Sequence, residues 1–186
     1  MGFTKGGVIQ SLINEEYHKL RKVEFNMRFK KLFTLCLVLF PTIASAQSMS
    51  VPNIDSSFKT FMPYTAITNT SSKQYALQKE ATTFHNGIRV HESGRYMVAV
   101  GTHYAKEVGT KLDITLDNGY TFHAIVGDIK QNKHTDATNR YVPINGSVLE
   151  FIVDMSEIPN VVMKTGDVSY TNDNLKGEVV SIKKVS

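Results

Sequence analysis

Two runs of alternating apolar residues flank the tripeptide Asp117-Asn118-Gly119 and constrain the fold more than any other feature of the chain. Leu112, Ile114 and Leu116 precede it, and Tyr120, Phe122, Ala124 and Val126 follow it, so each run presents one apolar face with a period of two. A two-residue Asn-Gly turn would set Leu116 opposite Thr121 and send the two apolar sets to opposite faces. A three-residue loop with Gly119 in the left-handed conformation sets Leu116 opposite Tyr120 and Ile114 opposite Phe122, so that both sets share one core. The spacing therefore predicts a hairpin over 111–126 closed by the three-residue loop.

Other segments carry the same signal. Arg95-Tyr96-Met97-Val98-Ala99-Val100 reads as a buried strand closed by Gly101. Ser147 to Val153, Val161-Val162-Met163, Val168-Ser169-Tyr170 and Glu178 to Val185 read as further strands, separated by Pro159, Gly166 and Asn172-Asp173-Asn174. Phe58, Phe61, Met62 and Tyr64 cluster around Pro63, a polar turn follows at 68–72, and this opening segment through Gln78 is expected to be mostly loop with short strands. No long amphipathic helix is visible, and the pattern predicts an all-β domain, a small closed barrel or sandwich.

The N-terminal residues follow a different logic. From Met27 the chain reads Arg28-Phe29-Lys30-Lys31, an apolar run from Leu32 to Phe40, and Ala44-Ser45-Ala46 before Gln47. A basic start, a short apolar stretch and small residues at the cleavage positions are the marks of a secretory signal peptide, with cleavage expected between Ala46 and Gln47. The organisation expected is an upstream extension outside the fold over 1–26, the signal peptide over 27–46, a Ser-rich flexible arm over 47–57, and a single domain over 58–186. The mature protein would be secreted, extracellular or periplasmic, and would meet a membrane only through its signal peptide during export.

That division also resolves the charge. Residues 1–46 hold seven Lys+Arg and three Asp+Glu, so the net +4 lies wholly there and residues 47–186 carry fourteen of each sign. A domain with no excess positive field has nothing to attract a phosphate backbone, which sets nucleic-acid binding aside. The single cysteine, Cys36, falls inside the signal peptide, so the mature chain is excluded from thiol catalysis, disulfides and thiolate metal sites.

Catalytic signatures such as a phosphate-binding glycine loop, a Gly-x-Ser-x-Gly elbow or a His-Glu-x-x-His pair do not occur. The chemistry then rests on carboxylates and histidines. Asp128 follows Phe122 to Gly127, and Gly127 permits a close backbone approach beside it. A carboxylate there serves either as a general acid and base or as a turn residue capping a local amide. His134 and Asp136, two apart, would share a face on a strand, but no third ligand accompanies them, and neither a metal nor another cofactor is expected. His103 and Tyr104, directly after a strand, form an exposed imidazole and aromatic pair, and Tyr104, Tyr120, Tyr141 and Tyr170 are candidates for stacking on sugar rings.

The order Tyr96 to Gly101, Val108-Gly109-Thr110-Lys111-Leu112-Asp113-Ile114, Ala124 to Lys130 and Gly146 to Phe151 resembles the three-aspartate (3D) domain family, whose fold is a six-stranded double-psi β-barrel and which includes the barrel of lytic transglycosylase A. The stretch from Phe58 to Asp154 is also similar to exported proteins of phages and gut bacteria. The resemblance implies that Asp128 is the acid/base that cleaves peptidoglycan glycan strands, with Asp136 or Asp154 as a second carboxylate and His103, Tyr104, Lys130, His134 and Tyr141 as substrate-binding residues. The family's Thr-Gly-Gly after the aspartate is replaced here by Ile129-Lys130-Gln131, and the downstream Gly-x-Arg-Ile-Asp is missing. Three functions follow as expectations: a peptidoglycan lytic transglycosylase acting through Asp128, a non-catalytic wall-binding barrel, or a structural protein of a phage or mobile element.

Overall fold

The computed structural model of the chain describes residues 46–186. The segments expected as signal peptide and upstream extension lie outside the described residues, apart from Ala46. In chain order the elements are β1 (Gln47–Met49), β2 (Thr60–Pro63), α1 (Lys73–Lys79), β3 (Ala81–Thr83), β4 (Arg89–His91), β5 (Tyr96–Val100), β6 (Lys111–Leu116), β7 (Thr121–Ile129), β8 (Leu149–Val153), α2 (Asn160–Thr165) and β9 (Val179–Val185), with short 3-10 turns between them. The architecture is all-β with a few short helices.

The hairpin forms as its spacing predicts. Gly119 has φ +83°, its N–H donates to Leu116 O at 3.0 Å, and Leu116 N–H donates to Tyr120 O at 2.9 Å. Ile114 pairs with Phe122, and both apolar sets lie in one buried core. Phe122 stacks on Phe151 at 5.7 Å between ring centroids, with the Tyr96 ring edge-on to both.

The strands make one mixed sheet rather than a six-stranded barrel. Among the described residues there are nine strands, in the order β1-β9-β6-β7-β5-β4-β3, with β8 pairing the other end of β5 and β2 pairing β8. The β5–β7 and β2–β8 pairs are parallel. Among the described residues this ladder does not return on itself. The gap between the β2–β8 end and β9 is bridged by the segment before β2: Ser56 Oγ accepts from Val179 N–H at 2.9 Å, and the Lys59 ammonium donates to Ser57 O at 2.9 Å and Gly177 O at 2.6 Å. Lys59 is fully buried, which pushes its pKa down, while the charges of Asp167, Asp117 and Asp55 oppose that shift. Side chains and carbonyls close the seam where a closed barrel would use a strand ladder.

Residues 47–57 are part of the fold rather than a flexible arm. Gln47–Met49 pair antiparallel with Lys184–Ile182, Met49 and Val51 pack on the core, and Ser56 is buried. Backbone amides that find an open strand edge are satisfied there, whatever the polarity of the side chains.

Two expected strands are helical. Val161-Val162-Met163 lies in α2, which Pro159 precedes and Gly166 ends at φ +76°, and one side only is covered: Val162 is buried while Val161 and Met163 are exposed. Val168-Ser169-Tyr170 forms a 3-10 turn. Lys73–Lys79, expected as loop, is α1: Ser72 Oγ accepts from Tyr75 N–H at 3.1 Å and so caps a run of good helix formers.

A bulge in β7 sets what faces outward. Val98 pairs with Val126 but Ala99 pairs with Asp128, so Gly127 is the extra residue. Before it, Phe122, Ala124 and Val126 point into the main core; after it, Ile129 does. The alternation has shifted by one, and Asp128 and Lys130 fall on the opposite face, with Ala99 and Glu150. On that face Met97, Ile125, Ile152 and Ala81 make a second, smaller apolar cluster against Leu77 of α1 and Met62. A Cβ on Gly127 would lie 2.6 Å from Ile152 Cδ1 and 3.0 Å from Met97 Cε. Gly127→Ala is therefore expected to lower stability by about 1–3 kcal/mol through overpacking, read as a lower urea midpoint at unchanged slope.

Candidate functional site

The outer face of β2, β8, β5 and β7 is covered at one end by α1 and open at the other, where it forms a groove of about 520 Å³. Its floor carries Ala99, Asp128, Lys130 and Glu150; Gln74, Gln131, His134 and Val142 border it. Three of the residues expected to form the site, Asp128, Lys130 and His134, come together here.

Asp128 is half-buried and reaches the groove because of the bulge. It lies within β7 rather than after it, and so is not a turn residue. Lys130 is buried, with its Nζ 2.6 Å from Glu150 Oε1. Burial pushes the Lys130 pKa down, and the charges of Glu150 and Asp128 partly restore it. The floor is thus a carboxylate, ammonium and carboxylate in sequence, offering two acceptors around a donor. Glu150 pairs with Ala99 across the β5–β8 ladder, and the two-residue period of β8 signals its face once Leu149 and Phe151 are placed in the core. Its role was missed because a lone Glu in an apolar strand carries no motif.

The other expected residues lie elsewhere. Asp136 does not line this groove. Its Oδ2 accepts from Thr138 N–H at 2.9 Å and from the Thr138 hydroxyl, and its Oδ1 accepts from Arg140 N–H at 2.6 Å and Tyr141 N–H at 3.0 Å. Partial burial would raise its pKa, but these hydrogen bonds outweigh that and hold the carboxyl far below the usual carboxylate range. Such a group organises its loop. His134 sits in a 3-10 turn and Asp136 in the irregular segment beyond it, so the two do not share a strand face. Tyr141 is partly buried against the main core. Asp154 accepts from Ser156 and from Thr83 Oγ1 at the end of β8.

His103 and Tyr104 line a second groove, of about 640 Å³, between β1 and the loop after β5. His103 is exposed, with Nε2 3.3 Å from Ser50 Oγ and its ring edge-on to Tyr104 at 5.0 Å. Tyr104 is not exposed as expected: it is 1% accessible and a member of the main core, in the turn after β5 where its N–H donates to Gly101 O. Burial pushes its phenol pKa well up. Stacking on a ligand is closed to it.

One group of metal-ligand type occurs among the described residues, where Glu80, His91 and Glu92 bring their ligand atoms within 4.8 Å of one another. His91 Nδ1 lies 3.1 Å from Ser93 N and its Nε2 3.0 Å from Glu80 Oε2, so a neutral ring with its proton on Nε2 satisfies both contacts and clasps the β3–β4 hairpin without an ion.

The Asp136 loop yields a pH prediction. A carboxyl with a depressed native pKa contributes stability that is present above its unfolded value of about 3.9 and is lost as pH falls through the native value. Asp136→Ala should cost about 2 kcal/mol at pH 7 through its lost charge-assisted hydrogen bonds. The gap between wild type and variant should narrow steadily below about pH 4, as measured by urea unfolding across pH. No protein-family model, curated protein or solved structure matches the chain.

Proposed function

We propose that this is a secreted cell-wall protein that binds the glycan strands of peptidoglycan in the groove floored by Asp128, Lys130 and Glu150. The observation that carries this reading is the alternation of acceptor and donor along the floor, with the Lys130–Glu150 pair at 2.6 Å beside the half-buried Asp128. A sugar ring presents neighbouring hydroxyls that each donate and accept, and fixed ionic groups flanked by amides and an imidazole bind such edges with charge-assisted hydrogen bonds. The groove volume suits one or two sugar units. Export through the segment 27–46 and kinship with the three-aspartate, double-psi family belong to the same proposal, supported by the leader's composition and by the quoted motifs.

Binding is favoured over cleavage because neither carboxylate expected to assist Asp128 lines its groove: Asp136 is tied up in its own loop and Asp154 accepts from Ser156 and Thr83. Glu150 is committed to Lys130. The transglycosylase reading keeps one supporting observation, the partial burial of Asp128 in a cleft, since a single carboxylate suffices for that chemistry.

One experiment separates the two. The protein and its Asp128→Ala and Asp128→Asn variants are incubated with purified peptidoglycan, sedimented, and the soluble fraction analysed by mass spectrometry. A binder co-sediments and releases no anhydro-muropeptides; Asp128→Ala should weaken retention about tenfold, the loss of one hydrogen bond to a charged group, and Asp128→Asn less. Anhydro-muropeptides from wild type alone would establish the enzyme instead. Failure of all three proteins to sediment would remove the cell-wall reading.

A further inference from the structure

One row of the groove floor sets two carboxylates on either side of a methyl group. Ala99 pairs with Asp128 of β7 along one edge of β5 and with Glu150 of β8 along the other, so the three lie side by side on the same face. Two strand spacings put the Asp128 and Glu150 backbones about 10 Å apart, and the Ala99 side chain fills little of that interval. Lys130 Nζ lies 2.6 Å from Glu150 Oε1, and those two charges balance. Asp128 takes part in none of the ion pairs formed among the described residues. His134 is the other titratable group of the lining, and the remaining lining residues bring no charge. With the imidazole neutral, the groove therefore holds two negative charges and one positive, and the negative surplus resides on Asp128.

We propose that the groove holds its ligand through a primary ammonium group, seated over Ala99 against Asp128. The inference rests on the glycan reading of this groove and adds to it the charge of the substituent that is recognised. A half-buried carboxylate without a cation has lost part of its hydration, and an incoming ammonium replaces that water with a charge-assisted hydrogen bond. An anionic substituent meets the same surplus as repulsion, so the groove discriminates by sign. An ammonium carries three N–H donors, and Glu150 Oε2 and the carboxamides of Gln74 and Gln131 border the same space as further acceptors. A divalent metal ion fits less well, because the Lys130 ammonium on the floor repels a double charge twice as strongly as a single one. In a cell wall the ammonium has two sources, an amino sugar that has lost its acetyl group and the side-chain amine of a dibasic residue in a peptide bridge.

The test is calorimetry on the full chain at neutral pH and low ionic strength, with the trimer of glucosamine, the trimer of N-acetylglucosamine, and Nα-acetyl-lysine methylamide, an ammonium without a sugar. The glucosamine trimer should bind about tenfold tighter than its acetylated counterpart, the worth of one hydrogen bond between charged groups. That ratio should shrink toward one in about 0.5 M NaCl, a readout that needs no variant. In Asp128→Asn, which keeps the shape and removes the charge, the ratio should also fall to about one, while the affinity for the acetylated trimer stays within about threefold and so reports that the variant is folded. Equal affinity of the wild type for the two trimers, or a preference that survives in Asp128→Asn, would overturn the ammonium site and leave the glycan reading intact. Binding of the methylamide alone, lost in Asp128→Asn, would keep the ammonium site, make its source a peptide and overturn the glycan reading. Binding of none of the three would overturn both.

Discussion

The site depends on one crowded contact, the approach of the β7 backbone at Gly127 to Ile152, Met97 and Gln78. A Cβ there would have to displace the ends of those three side chains, and the extra residue that Gly127 adds to β7 moves every later side chain to the other face of the sheet. Asp128 and Lys130 would otherwise point with Val126 into an apolar core, where an ion pair loses its hydration. Their presence on an open face is a product of register.

The contrast between the two buried lysines shows what surroundings do to a charge. Lys59 donates to two carbonyls at a seam and has acidic groups only at Coulombic range. Lys130 sits against a carboxylate at 2.6 Å in a groove open to solvent. Both have pKa values pushed down by burial, but the first ammonium has its contacts filled by the fold, whereas the second borders space. A cation of the second kind is available to a ligand, one of the first kind is a fastener.

What was legible in the sequence was local and periodic. The 112–126 hairpin, including its loop length and the residues facing each other, follows from alternation and one left-handed glycine. Strands β5, β8 and β9 are legible for the same reason. Val161 to Met163 misled because three apolar residues in a row satisfy either period, and the flanking Pro159 and Gly166, which mark helix ends as well as turns, decided the matter. Of the groove, Asp128, Lys130 and His134 were among the residues singled out in the sequence, and they fall together because they are close in the chain. Glu150 was not, since it comes to the groove only through a strand pairing that spans many residues. Tyr104 and Asp136 were misread in opposite senses: one aromatic sank into the core, and one carboxylate was claimed by its own loop. The bridging of the open seam was the least legible property. It depends on Ser56 and Lys59 meeting residues 123 and 118 positions away, about which local pattern says nothing.

That seam has a temporal side. β9 supplies the partner for both β1 and β6, and the carbonyl that receives the Lys59 ammonium lies two residues before it. A chain that emerges from a ribosome with its N-terminus leading carries β6 with a bare edge, and Lys59 without its far acceptor, until residues 177–185 arrive. Hairpin β6–β7 and the parallel β5–β7 pair can assemble before then, but the seam is fastened only by β9, which follows all its partners in the chain. During that interval the unpaired edge of β6 is open to another strand, and how long the interval lasts is set by delivery of β9 rather than by how fast the core collapses.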